Sequence, residues 1–218
     1  MNENVASRYL SIITNFGCHY TCPYCIVREN NLHIPATTID GLTALSAKVK
    51  ELGCNMISLS GGGDPLFGYL NHRDWYNEFF KIIPNPDNRE LHTSYFATPN
   101  FPYNEFYRVV YHLRSIDDIF RIRRRGHELV RVVFVVTDLF TKGMIDRIAT
   151  LCKANPNIDE LSFRQMVDSN YQATHYCEDY LTAGHKKNWW YITQCDYNLY
   201  YCENKVSTRF EDFKTDQI

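Results

Sequence analysis

The chain has 218 residues, 44% of them hydrophobic, enough for one domain with a sizeable core. A formal net charge of −2 leaves no basic footprint for nucleic acid or a membrane surface. Residues 1–8 are polar and no apolar run is as long as a membrane span, so a cytoplasmic protein is expected, in which eight cysteines mean metal ligands or buried thiols and not a disulfide framework.

Tyr9–Phe16 reads as a first strand, and Gly17 turns the chain out of it into a loop holding three cysteines. An irregular link covers 26–36. Thr37 or Thr38 can cap a helix that places Leu42, Leu45, Val49 and Leu52 on one face and ends near Gly53. A second strand, Asn55–Ser60, runs into Gly61-Gly62-Gly63-Asp64-Pro65. A helix over 74–83 presents Trp75, Phe79 and Ile82 and is stopped by Pro84. A third strand covers 90–97. Phe106, Val109, Val110 and Leu113 recur at i, i+3, i+4 and i+7, which predicts a helix over 103–113. Asp118–Arg124 and Val130–Thr137 read as strands, 141–155 as a helix with Ile145, Ile148 and Cys152 on one side, and 158–166 as a further strand.

Alternating strands and helices predict a parallel sheet covered by helices. One link disagrees. Between Arg124 and Val130 there is no room for the crossover that parallel neighbours need, so either those two strands form a hairpin or one is misassigned. After Met166 the pattern changes to short alternating runs at 189–193, 199–202 and 206–210, with turns at 196–198 and 204–205. They predict a small β-meander against the open side of the core or across its mouth.

Cys18-His19-Tyr20-Thr21-Cys22-Pro23-Tyr24-Cys25 has the spacing C-x3-C-x2-C. Three thiolates on one tight loop suit a soft metal or an iron–sulfur cluster. A structural zinc site needs a fourth ligand nearby, and none appears locally. This loop, together with Gly62-Gly63-Asp64-Pro65 at a strand end about forty residues later, resembles the radical S-adenosylmethionine (SAM) superfamily. The resemblance covers residues 9–66 and extends by pattern to about 166. It implies a [4Fe–4S] cluster held by Cys18, Cys22 and Cys25, with Tyr24 beside the adenine of SAM. It implies that Gly61, Gly62, Gly63 and Asp64 hold the methionyl amino group, with Asp64 standing where the family usually has Glu. The implied fold is α/β, a partial (βα)6-type open TIM barrel over residues 1–166, with residues 167–218 as an extension packed on the same domain.

The implied chemistry is reductive cleavage of SAM to a 5′-deoxyadenosyl radical that takes hydrogen from a substrate, with a one-electron donor such as flavodoxin or ferredoxin as partner. The substrate is expected to be a small polar, anionic molecule. If 118–124 and 158–166 are strands, alternation turns Arg121, Arg123, Ser162 and Arg164 inward, opposite Phe120, Ile122, Leu161 and Phe163. Ser58 and Ser60 fall on the same inner face. Arg123 and Arg164 are thus candidates for binding SAM or a substrate carboxylate or phosphate. Two other readings stay open: an activase installing a glycyl radical on a partner protein, and a non-catalytic iron–sulfur or zinc module. Cys177, Cys195 and Cys202 are too widely spaced to mark a second cluster, and Cys54 and Cys152 lie on apolar patterns as core residues.

Overall fold

A computed structural model describes residues 8–192 and 199–215. Among the described residues nine strands form one sheet: β1 (Tyr9–Ile12), β2 (Met56–Leu59), β3 (Arg89–Thr93), β4 (Arg108–Leu113), β5 (Leu129–Val136), β6 (Glu160–Gln165), β7 (Tyr191–Ile192), β8 (Leu199–Cys202) and β9 (Lys205–Ser207). The spatial order is β7-β6-β5-β4-β3-β2-β1-β8-β9. Every pairing is parallel except that of β8 with β9. The sheet is open, ending at β7 and β9, so a closed barrel is not formed.

The helices are α1 (Ile26–Glu29), α2 (Ile39–Thr43), α3 (Leu45–Leu52), α4 (Arg73–Ile82), α5 (Lys142–Ala154) and α6 (Glu178–Gly184). Thr38 caps α2 by accepting from Gly41 N–H at 3.1 Å, and Gly53 ends α3 in the left-handed conformation. Thr141 caps α5, which buries Ile145, Ile148, Ala149 and Cys152. Leu10, Ile12, Ile57, Leu59, Leu91, Val109, Tyr111, Val132, Phe134, Leu161 and Phe163 belong to the main core with these helices. The alternate residues of the same strands, among them Ser11, Ser58, Glu90, His92, Arg108, His112, Arg131, Glu160, Ser162 and Arg164, face the other way. No helix among the described residues is long and apolar enough to cross a membrane.

Three expectations are corrected. The helix over 103–113 is instead a 3-10 turn, Tyr103–Glu105, followed by β4. Val109 and Val110 are both buried, so the strand is covered on each side, and the alternation that would identify it disappears. The strand over 118–124 is a 3-10 helix, Ile116–Arg121. Its start is fixed by Asp118, whose carboxylate accepts from Arg114 N–H at 3.2 Å and Ser115 N–H at 3.1 Å. Residues 114–128 therefore make the whole crossover from β4 to β5, which removes the topological conflict. Finally, no three-stranded meander lies over the mouth. β7 adds to β6 at one edge, and the β8–β9 hairpin adds to β1 at the other. Cys195 and the turn expected at 196–198 lie outside the described residues.

Candidate active site

The cysteine loop leaves β1 through Gly17, whose φ of +117° is left-handed and where a Cβ would fall 2.6 Å from the Phe67 ring. Cys18 is exposed, while Cys22 and Cys25 are half-buried. Cys25 N–H donates to the Cys22 carbonyl at 3.2 Å, and the Cys25 carbonyl in turn accepts from Arg28 and Glu29, starting α1. Burial pushes the Cys18 and Cys22 thiols up, and the charges of neighbouring cysteines add to the rise. A hydrogen bond from Tyr24 to Cys22 works in the opposite sense. The Arg114 guanidinium lies 3.4 Å from the centre of the Tyr20 ring, bringing a cation to the loop.

Among the described residues no three His, Cys, Asp or Glu side chains converge closely enough to form a ready metal site. The donor set nevertheless fits a cluster bound through three of its irons. Three thiols sit on one loop of eight residues. His19, packed between Tyr20 and Tyr95, buries both ring nitrogens without a hydrogen-bond partner. Buried polar atoms of this kind are costly, which suits a loop that is completed by a further group.

The glycine motif locks onto this loop. Gly61 and Gly62 have φ of +98° and +80°, a conformation that side chains rarely adopt. A Cβ on Gly63 would fall 2.5 Å from the Gly17 carbonyl oxygen, and that oxygen also accepts from Asp64 N–H at 2.8 Å. Asp64 itself is 4% exposed. One carboxylate oxygen accepts from Leu66 N–H at 3.0 Å and from the Thr93 hydroxyl at 2.8 Å. The other accepts from Ser94 N–H at 2.6 Å. Burial raises its pKa and these three bonds oppose the rise. Asp64 thus ties the end of β2 to the end of β3, and it is not on the wall of the cavity described next.

That cavity, of about 340 Å³, lies at the carboxyl ends of the parallel strands. It brings together Cys18, Tyr24 and Cys25, the Ser60–Gly63 turn, His112 from β4 and Arg164 from β6, with Tyr200 and Phe210 of the C-terminal segment on its wall. Crevices at strand carboxyl ends are where open α/β sheets bind ligands. Tyr24 also borders a second cavity of about 460 Å³, lined by apolar residues including Leu113, Phe134, Phe140 and Met144, with Arg114 at its side.

Of the expected arginines, only Arg164 reaches the site. Arg121 and Arg123 are exposed because 116–121 is helical and not extended. Arg123 donates to the carbonyls of Phe120 and Ile122, and Arg121 lies over the Phe96 ring. Ser58 and Ser162 are on the face away from the helices as expected, with the Ser11 and Ser58 hydroxyls 2.6 Å apart.

The same face carries an ion network that the sequence reading missed. Glu90 accepts from Arg108 at 2.7 Å and pairs with His92 at 2.8 Å, while Glu160 bridges Arg108 and Arg131 at 3.2 and 2.7 Å. Burial works against the charge on Glu90, but His92, Arg108 and Arg131 together hold its carboxyl down at about 2. The signal was present as Glu90 and His92 on either side of Leu91 in β3. In Arg108–Leu113 the helical assignment hid it. Cys177 and Cys202 do not join the cavity: their thiols lie near the carbonyls of Phe140 and Pro35.

No protein-family profile matches this sequence, and no curated protein matches it. Among solved structures, a radical SAM methyltransferase from Sphaerobacter thermophilus superposes with a TM-score of 0.58 over 92% of this chain and 70% of its own, at 11% identity. At that identity the likeness is one of architecture: the two chains share a fold.

Proposed function

We propose that this chain is a radical SAM enzyme acting on a small anionic molecule. The observation that carries the reading is one cavity, at the carboxyl ends of parallel strands, walled by the cysteine loop, the glycine turn and Arg164. When bound, a [4Fe–4S] cluster and SAM supply one-electron cleavage of the sulfonium and so a carbon-centred radical that can take a hydrogen atom.

The protein's part is positional. Cys18, Cys22 and Cys25 hold the cluster. Gly61, Gly62 and Gly63 present backbone without side chains, so a ligand's polar groups can approach closely. Asp64 keeps that turn fixed against β3, acting at one remove from the ligand. Tyr24 packs beside the ligand and separates it from the apolar cavity behind. Arg164 offers planar, charged donors to a carboxylate or phosphate, whether of SAM or of the substrate. Tyr200 and Phe210 cover the cavity and keep water from the reacting atoms. The exposed edge of the loop at Cys18 faces solvent, where a flavodoxin or ferredoxin can deliver an electron.

Anaerobic reconstitution with iron and sulfide, followed by dithionite and SAM, tests the reading. A brown protein that releases 5′-deoxyadenosine supports it. A colourless, zinc-loaded protein that ignores SAM rejects it in favour of a binding module. Release of 5′-deoxyadenosine that only a partner protein stimulates would point to an activase.

A further inference from the structure

Three side chains in line connect the ion network on the sheet to the cavity. The Glu90 carboxylate is 2.8 Å from His92 Nε2, and His92 Nδ1 is 3.1 Å from His112 Nε2. Glu90 also accepts from Arg108, which leaves its carboxylate ionised and an acceptor only. Two consequences follow from counting donors. With His92 neutral, the proton that meets Glu90 is on Nε2 and its Nδ1 is an acceptor. His112 must then donate from Nε2, which leaves His112 Nδ1 as the nitrogen with a lone pair. His112 lines the cavity, beside Arg164.

We propose that His112 is the acid–base residue of this cavity, and that His92 and Glu90 form a relay behind it. The bound anion is one that carries an ionisable O–H or N–H near its carboxylate or phosphate. In the forward direction that O–H or N–H bond breaks heterolytically, and its electron pair stays on the ligand. The proton goes to His112 Nδ1, while the Nε2 proton of His112 passes to His92 Nδ1. The positive charge therefore comes to rest on His92, against the Glu90 carboxylate, and not on His112. The reverse transfer returns the proton, so no oxidant or reductant enters.

This division of labour suits the surroundings. Burial above all, and the charge of Arg164 with it, lower the His112 pKa to about 3, so its lone pair is bare throughout the neutral range. A cation fixed on His112 beside Arg164 would be unfavourable, whereas one on His92 meets an anion. The groups facing the pair are Glu90 from β3 and Arg164 from β6, with Arg108, Arg131 and Glu160 further along the sheet.

The inference takes the cavity of the proposed function as its setting, but its first test does not depend on cluster or SAM. Long-range ¹H–¹⁵N spectra of the full chain with ¹⁵N-labelled histidine, assigned with His92→Gln and His112→Gln variants, read the tautomers directly. Expected are Nε2–H on both residues and no titration of His112 between pH 5.5 and 8.5. In His92→Gln, the fixed His112 tautomer should give way to a mixture. A proton on Nδ1 of His112 in the parent chain, or titration near the ordinary imidazole value of about 6.5, overturns the relay. Diethylpyrocarbonate at pH 5.5, with the modified residues located by peptide mass, gives the second readout. His112 should be modified, and SAM should protect it. Modification without protection keeps the relay and rejects the placement of SAM; no modification rejects His112 as the accessible base.

Discussion

Gly63→Ala tests whether the glycine motif and the cysteine loop are one mechanical unit. The new methyl carbon would sit 2.5 Å from the Gly17 carbonyl oxygen, 3.1 Å from its carbon and 3.0 Å from Asn15 Oδ1. Ordinary contact begins at 3.4 Å, so backbone must move by most of an ångström, and backbone yields far less readily than a side-chain tip. Overpacking of this kind costs about 1–3 kcal/mol. The displaced Gly17 oxygen also accepts the 2.8 Å bond from Asp64 N–H, whose weakening adds about 0.5–1.5 kcal/mol. The expected loss is thus about 2–4 kcal/mol in urea unfolding, seen as a lower midpoint with an unchanged slope. Because Gly17 immediately precedes Cys18, iron uptake on reconstitution should fall as well. Gly143→Ala is the control: it lies in the first turn of α5 with nothing within 4 Å of the added carbon, and should be neutral or stabilising by up to about 1 kcal/mol. A Gly63→Ala protein within 0.5 kcal/mol of the parent, with full iron content, would refute the coupling.

Replacing Cys18, Cys22 or Cys25 singly by Ala should abolish the cluster's visible absorption, whereas Cys54→Ala should leave iron content unchanged; a full cluster in any of the first three variants refutes the ligand assignment. Arg108→Met strips the shared cation from two carboxylates and should cost about 3–5 kcal/mol by urea unfolding. A loss below 1 kcal/mol would show that the network is not stabilised through Arg108. Since the Glu90 carboxyl titrates at about 2 in the fold, below the ordinary carboxylate value of 4.5, its contribution is full above pH 4.5 and is lost as pH falls towards 2. Glu90→Gln should therefore flatten the acid side of the stability curve, and an unchanged slope contradicts the assignment. Burial pushes the Cys152 thiol up to about 12, so iodoacetamide at pH 8 should label the exposed Cys18 long before Cys152 in the native chain.

The cysteine loop and the glycine turn were legible in sequence as neighbours of one strand-end cavity because each is a local run of a few residues. Arg164 was legible as an inward residue because Glu160-Leu161-Ser162-Phe163-Arg164 alternates. Arg123 was misplaced because Phe120 and Ile122 imitate strand alternation. In the structure Phe120 is 57% exposed, and Ile122 is buried just beyond the 3-10 turn. A cue to the correct reading was the Ser115-x-x-Asp118 spacing, an N-terminal helix signature with Asp in place of Glu. His112 was hidden for a different reason. Its strand is covered on both faces, so a helical stripe fits the residues equally well, and only pairing with β3 and β5 decides between them. That 189–193 and 199–202 hold strands was legible, but their pairing with β6 and β1 was not, since neither edge of a sheet is marked in the short segments that join it.

The parallel pairing of β1 with β8 also bears on how the chain is made. Leu10 pairs with Leu199, so one flank of β1 waits for residue 199 to emerge before it is covered. Until then a strand whose Leu10, Ile12 and following Ile13 are fully buried in the finished fold presents unpaired amides to the cell. Parallel, long-range pairing of this sort forms slowly, and a nascent chain halted before residue 199 is a template for intermolecular strand addition. The β8–β9 hairpin therefore acts as a late-arriving guard against aggregation as well as a wall of the cavity. Expression yield should respond to changes in it more sharply than equilibrium stability does.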